Sequence, residues 1–210
     1  MVILRRQNVG LTLALEQIIS MLKIAVLASG SGSNAQKLYE YFEDSQLARV
    51  ELIVTNNPKA GVISRFQDKN TAVLVFDPST DSQEMLNKLK SRVDIILLAG
   101  YMKLIPKDWI EAFTHRIVNI HPALLPKFGG KGMYGARVHQ AVSESGDLES
   151  GITVHLVNER YDEGAIVAQF KVQVTPGEPA EEIESKVRAL EQEYYAPTVA
   201  KWIKEVISQQ

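Results

Sequence analysis

Short apolar runs alternate with amphipathic stretches along most of this chain. Leu22–Ala28 (LKIAVLA), Val50–Thr55, Ala72–Phe76, Asp94–Leu98 and Arg116–Ile120 are of strand length with little polar interruption. Between them, Ala35–Phe42, Val62–Lys69, Ser82–Lys90 and Pro106–Phe113 carry apolar residues at helical spacing. Leu38, Tyr41 and Phe42 fall on one side of the first of these, and Met85, Leu86 and Leu89 on one side of the third. The fourth opens at a proline, which a helix accepts in its first turn. Strands apolar on both faces, joined by helices, predict a parallel sheet with right-handed crossovers. After Pro126 the character changes. KFGGKGMYGA holds Gly129, Gly130, Gly132 and Gly135 and predicts a mobile loop, followed by a helix over Val138–Ser145 that stops at Gly146. Ile152–Val157 and Ile166–Val174 read as strands whose link, NERYDEGA, is too short for a crossover helix, so they pair antiparallel. Glu178–Leu190 and Tyr195–Ile207 supply C-terminal helix, with Ile183, Val187, Leu190, Val199, Trp202 and Val206 inward. The pattern predicts a single α/β domain, doubly wound, with a mostly parallel sheet and late antiparallel strands.

Length and composition narrow what such a domain does. At 210 residues and 45% hydrophobic content, one core is the default. A net charge of −2, from 23 basic and 25 acidic residues, supplies no field for a nucleic acid or a membrane surface. Cysteine is absent, which removes thiolate nucleophiles, disulfides and Cys-based metal sites together, and nothing in this composition argues against a cytoplasmic location. Arg5 and Arg6 precede an apolar stretch, but Asn8, Gly10, Thr12, Glu16 and Gln17 interrupt it, unlike a signal peptide. Residues 1–20 therefore read as an extension, partly helical over 11–20, ahead of a domain spanning 21–210. No run approaches the ~20 apolar residues of a membrane span.

The candidate chemistry centres on VNIHPALLP. Alternation places Asn119 and His121 on the same side of an extended backbone, so one can donate a hydrogen bond while the other moves a proton. Pro122 cannot continue a strand ladder, so His121 stands at the strand's end, where α/β proteins keep their chemistry. A second feature, Gly30-Ser31-Gly32-Ser33-Asn34-Ala35, lies between a strand and a helix in the G-x-G-x-x-A form. A dinucleotide would call for an acid at the end of the next strand, where Asn56 and Asn57 stand instead. A phosphate monoester needs only the helix-start amides and nearby hydroxyls, and is preferred. Asp162, in the turn YDEG, either makes that turn or brings a carboxylate to His121, favouring the imidazolium and raising its pKa. His155 reads equally well as a packed strand residue, while His115 and His139 read as solvated.

These motifs, taken together, resemble the phosphoribosylglycinamide formyltransferase family, folate-dependent enzymes of purine biosynthesis. The resemblance is carried in order by SGSGSN, AGYMKLI, NIHPALLP, GITVHLV, YDEG and ALEQEYY, and runs from Met21 to the C-terminus. It implies a formyltransferase-like single domain, catalytic roles for Asn119, His121 and Asp162, and a substrate phosphate loop at Gly32, Ser33 and Asn34. Arg188 and Glu191 fall where that family contacts the glycinamide substrate. Met102, Lys103, Leu104 and Ile105, with Asn119, Asn158, Glu159, Arg160, Tyr161 and Asp162, fall on its folate-binding stretches. The implied co-substrate is 10-formyltetrahydrofolate, with no metal. The ligands are small molecules, and the oligomeric state is left open, a homodimer included. The chain departs from the family's usual pattern at Gln83, Gln192 and Ala196. Related readings are a formyltetrahydrofolate hydrolase, a formyltransferase for another amine, or a phosphate-ligand binding module without catalysis.

Overall fold

The computed structural model describes residues 21–207. The expectation of partial helix over 11–20 lies outside the described residues, as does the side chain of Val206. Among the described residues seven strands form one sheet in the order β3-β2-β1-β4-β5-β6-β7. Strands β1 (Leu22–Leu27), β2 (Ala48–Thr55), β3 (Ala72–Val75), β4 (Ile95–Leu98) and β5 (Ile117–His121) run parallel. Strands β6 (Glu149–Leu156) and β7 (Ile166–Gln173) join β5 in antiparallel pairings, as the short link predicts.

Strands β1, β2, β4 and β5 each send alternate residues to two separate cores, while β3, at the sheet's edge, leaves Val75 48% exposed. Ile24, Val26, Ile53, Leu97 and Val118 face α1 (Ser33–Phe42), α2 (Gly61–Phe66), α5 (Ala136–Ser145) and α6 (Ala180–Ile207). Ala25, Leu27, Leu52, Val54, Ile96 and Leu98 face α3 (Ser82–Arg92) and α4 (Lys107–Ala112). Burial on both faces explains the uninterrupted apolar runs. On the helices, Met85, Leu86 and Leu89 are buried as their spacing predicts. Tyr41 is not inward: it is 47% exposed and meets Phe42 edge-on.

The C-terminal helix differs from the two stretches expected, because α6 runs unbroken for 28 residues with Pro197 inside it. A proline there forfeits a hydrogen bond and costs about 3 kcal/mol. Ile183, Val187, Tyr195, Val199 and Ile203 are all buried along the helix. Each such burial is worth roughly 1.5–3 kcal/mol, so packing outweighs the break. The Tyr195 hydroxyl also donates to the Leu98 carbonyl at 2.9 Å, pinning α6 to the middle of the sheet.

Strand order reverses between β1 and β4, and the loops leaving them diverge there. Open α/β sheets bind ligands at that switch point. The loops after β1, β4 and β5 all leave from the same edge and line one cleft of about 450 Å³.

Candidate active site

The loop after β1 makes one end of this cleft. Gly32 adopts φ +75°, and an added Cβ would lie 2.5 Å from the buried Val62 side chain, so no other residue fits without moving α2. Among the described residues no side chain caps α1 at Gly32, which leaves its first-turn amides free to meet an anion. Ser31 is held from behind, its carbonyl accepting from Arg65 Nε at 2.8 Å. Asn34 uses its side chain elsewhere: Nδ2 donates to Glu191 at 2.9 Å, and Oδ1 accepts from Gln192. Asn34 therefore offers a ligand its backbone, while its amide ties α1 to α6.

The asparagines that stand where a ribose-binding acid would be are likewise engaged. Ser29 Oγ donates to Asn56 at 2.6 Å and accepts from the Met102 amide at 3.0 Å, while Asn57 donates to the Ser29 carbonyl. This clasp sets the start of the Met102–Ile105 wall. Met102 and Leu104 are about half exposed, an apolar surface facing the cleft, and Ile105 is buried behind them. Across from it stand Asn158, Arg160, Tyr161 and Asp162.

Asn119 and His121, at the end of β5, line the same cleft. The Asn119 amide is 3.0 Å from His155 Nε2, and His155 Nδ1 is 2.9 Å from the Leu156 carbonyl. A carbonyl accepts only, so Nδ1 carries the proton. Burial also lowers the pKa of this ring, so Nε2 is a lone pair that accepts from Asn119 Nδ2. One Asn119 N–H is thereby fixed and the other left for a ligand.

The same reasoning assigns His121. Its Nε2 donates to the Phe128 carbonyl at 2.8 Å, leaving Nδ1 3.6 Å from Asp162 Oδ2. That gap is too long for a hydrogen bond and short enough for strong Coulombic interaction. Asp162 is the hub: Oδ2 also accepts from the Gly130 amide at 2.9 Å, and Oδ1 lies 3.7 Å from His155 Nε2. The expectation that Asp162 raises the His121 pKa is half right. Asp162 and Phe128 do push it up, but burial is the larger effect, and the net direction is down. The resting ring is a neutral base with its free nitrogen beside a carboxylate.

Arg188 and Glu191 both line the cleft from α6. Arg188 pairs with Glu184 one turn away, and burial pushes the Glu191 carboxyl up against the opposing pull of Asn34 and Arg188. Glu159 is not among the cleft-lining residues; it faces Lys107 at 3.4 Å. The other expected site residues share the one cleft.

Sequence reasoning missed the glycine-rich segment, which it treated as loose. Phe128 and Gly130 hold His121 and Asp162, and Gly130–Ala136 supplies cleft lining. It also misplaced His139, which is 4% exposed rather than solvated, and left His155 undecided. His115 is exposed as expected.

Comparison with known proteins bears on the sequence and the fold. Residues 22–199 match the family model described as formyl transferase. A chloroplastic phosphoribosylglycinamide formyltransferase of Arabidopsis thaliana is 45% identical over 186 residues, covering 84% of this chain and 64% of that protein. The phosphoribosylglycinamide formyltransferase of Haemophilus influenzae is 38% identical over 193 residues, 88% of each chain. The chain thus spans less than two-thirds of the plant relative and most of the bacterial one. Among solved structures, glycinamide ribonucleotide transformylase 1 from Geobacillus kaustophilus superposes with a TM-score of 0.80 at 38% identity, over 87% of this chain and 99% of that one. With a family model matching residues 22–199 and relatives 38–45% identical over most of this chain, the chain belongs to the formyl transferase family.

Proposed function

We propose that this chain transfers the formyl group of 10-formyltetrahydrofolate to the amine of 5-phosphoribosylglycinamide, with residues 21–210 as the catalytic unit behind a short extension. The observation that carries this reading is the meeting of Asn119, His121 and Asp162 between an uncapped helix start and an apolar wall. The helix start suits the phosphate, and the wall at Met102–Ile105 suits the folate ring system, with Asn158, Arg160, Tyr161 and Asp162 opposite. Arg188, Glu191 and the backbone of Gly32, Ser33 and Asn34 hold the phosphoribosyl end.

In the reaction the amine attacks the formyl carbon, a C–N bond forms, and negative charge collects on the formyl oxygen. The Asn119 N–H not spent on His155 donates to that oxygen, a contribution worth on the order of a hundredfold to a thousandfold in rate. The attacking nitrogen gives its proton to His121 Nδ1. The imidazolium so formed lies beside Asp162, which stabilises the charge at the moment it appears. Breaking the bond between the formyl carbon and the folate nitrogen then returns the proton to that nitrogen, and both products leave neutral at the reacting atoms.

The test is a formyl-transfer assay on the full chain with each candidate amine, including a reaction without acceptor. Formylation of the glycinamide substrate supports the reading; formate release without acceptor at an equal rate would assign a hydrolase. A cytoplasmic location and a homodimer remain parts of the proposal, checked by imaging a tagged full chain and by sedimentation. The word chloroplastic belongs to the Arabidopsis relative's own name.

A further inference from the structure

One buried polar side chain in the cleft has no work in the chemistry above. His139 sits on α5, flanked by Val138 and Val142, with the ring packed toward α6. It is 4% exposed yet lines the cleft with Glu184, Val187 and Arg188. Its Nδ1 is sealed and has no hydrogen-bond partner among the described residues. Its Nε2 keeps contact with the cleft and has no partner among the described residues. A buried imidazole with one sealed, unpaired nitrogen is unusual, since buried polar groups are nearly always paired.

The protonation state follows from the surroundings. Burial lowers the His139 pKa; Glu184 opposes this, while Arg188 and His121 add to it, so the ring is neutral. Orphaned buried N–H groups are rarer than orphaned acceptors, so the single proton belongs on Nε2 and the lone pair on sealed Nδ1. The cleft therefore meets a fixed, uncharged N–H donor.

Building on the proposed function, we propose that His139 is a further substrate-binding residue: its Nε2–H donates to a neutral oxygen on the amine-bearing substrate, between the phosphate held at α1 and the amine at His121. Position selects that substrate over the folate. The neighbours of His139 are Glu184 and Arg188 of α6, whereas the folate wall is built from the loops holding Met102–Ile105 and Asn158–Asp162. Neutrality selects the acceptor, since a carbonyl or hydroxyl oxygen pairs with an uncharged donor at no cost in charge, and the phosphate already has Arg188 and the helix amides.

The experiment is calorimetric titration of the full chain with each substrate separately, comparing the parent with His139→Gln, His139→Asn and His139→Leu. A glutamine amide nitrogen reaches the place of Nε2, and an asparagine nitrogen only that of Nδ1. His139→Gln should bind the glycinamide substrate within about threefold of the parent. The Leu and Asn variants should bind it on the order of tenfold more weakly, the worth of one neutral hydrogen bond. Folate affinity should be unchanged in all three. Equal affinity in His139→Leu and the parent overturns the inference, as does a parallel loss for both substrates, which would mark a packing role. A parent chain that binds no glycinamide substrate overturns the functional reading and this inference together, whereas a binding parent matched by His139→Leu overturns this inference alone.

Discussion

Asp162→Asn isolates what the carboxylate does, because asparagine keeps the size, the tolerance of the left-handed φ of +58°, and an oxygen for the Gly130 amide. The charge is lost, and one acceptor oxygen becomes an N–H donor. At 3.6 Å from His121 Nδ1, with Asp162 12% and His121 4% exposed, the Coulombic interaction is about 1 kcal/mol at the dielectric of water and about 5 kcal/mol at an effective value of 20. Burial already holds the His121 pKa below its ordinary value, and losing Asp162 lowers it further. A neutral base works above its pKa, so the rate falls as pH drops through that value, and the acid limb moves to lower pH in the variant. Turnover at neutral pH should also fall, on the order of tenfold to a thousandfold, because the imidazolium formed in the reaction loses its counter-charge. NMR titration of the His121 ring and the pH dependence of turnover read these two effects independently. An unchanged His121 pKa with full turnover would reduce Asp162 to a turn residue and remove the base mechanism's support.

Further outcomes follow from other parts of the site. His121→Ala and Asn119→Ala should each lose on the order of a hundredfold or more in turnover with melting temperature nearly kept; activity within about threefold of the parent would exclude the residue from catalysis. Gly30→Asp places a carboxylate where an added Cβ meets nothing within 4 Å, so the glycinamide KM should rise at least tenfold while folate affinity holds, measured by steady-state kinetics and folate titration. Gly164→Ala puts a Cβ 1.7 Å from the Leu156 carbonyl oxygen, which should cost about 3 kcal/mol, seen as a drop of roughly 6–12 °C in calorimetric melting. His121, His139 and His155 all have lowered pKa values, so the unfolded chain takes up more protons below about pH 6.5. Stability should fall on acidification by at most about 4 kcal/mol per pH unit for the three, and a denaturation midpoint that stays flat between pH 7.5 and 5.5 would contradict their neutrality.

The architecture was readable because its signals are local. A strand buried on both faces announces itself as IILL, and Pro122 marks the end of β5 whatever the rest of the chain does. His139 carried a local signal too: it adjoins Val138 and precedes Val142 by three, so it shares the apolar face of α5, and reading it as solvated overlooked its neighbours. Pro197 misled in the other direction, since its local cost is real and only the long-range packing of α6 offsets it. The direction of the missing Cβ at Gly32 was beyond sequence reasoning. It points at Val62 rather than into the cleft, so a bulky residue there would test α2 packing, and Gly30 is the position that tests ligand access.

What the sequence could least reveal is which nitrogen of His121 is free, because that depends on a residue chosen by backbone shape. Phe128 is held at φ +55°, a left-handed conformation that costs a non-glycine residue roughly 1–2 kcal/mol. In that conformation its carbonyl accepts from Nε2, and two residues later the Gly130 amide donates to Asp162. The segment therefore touches both members of the His121–Asp162 pair, and it does so with a carbonyl on one and an amide on the other. A carbonyl can only fix a proton on Nε2, and an amide can only donate, which holds Asp162 Oδ2 in place beside Nδ1. Both constraints push toward the same state, a neutral imidazole whose Nδ1 lone pair faces a carboxylate. That state is poor for holding a resting positive charge, given the burial, and well suited to accepting a proton when the substrate amine supplies one. The glycines that follow Phe128 let the chain leave this strained position without a second cost, as Gly130 and Gly132 take φ values of +93° and +91° with open space beside them. A run that reads as a spacer thus sets which nitrogen of His121 is free, and the proposed base mechanism depends on it as much as on Asp162.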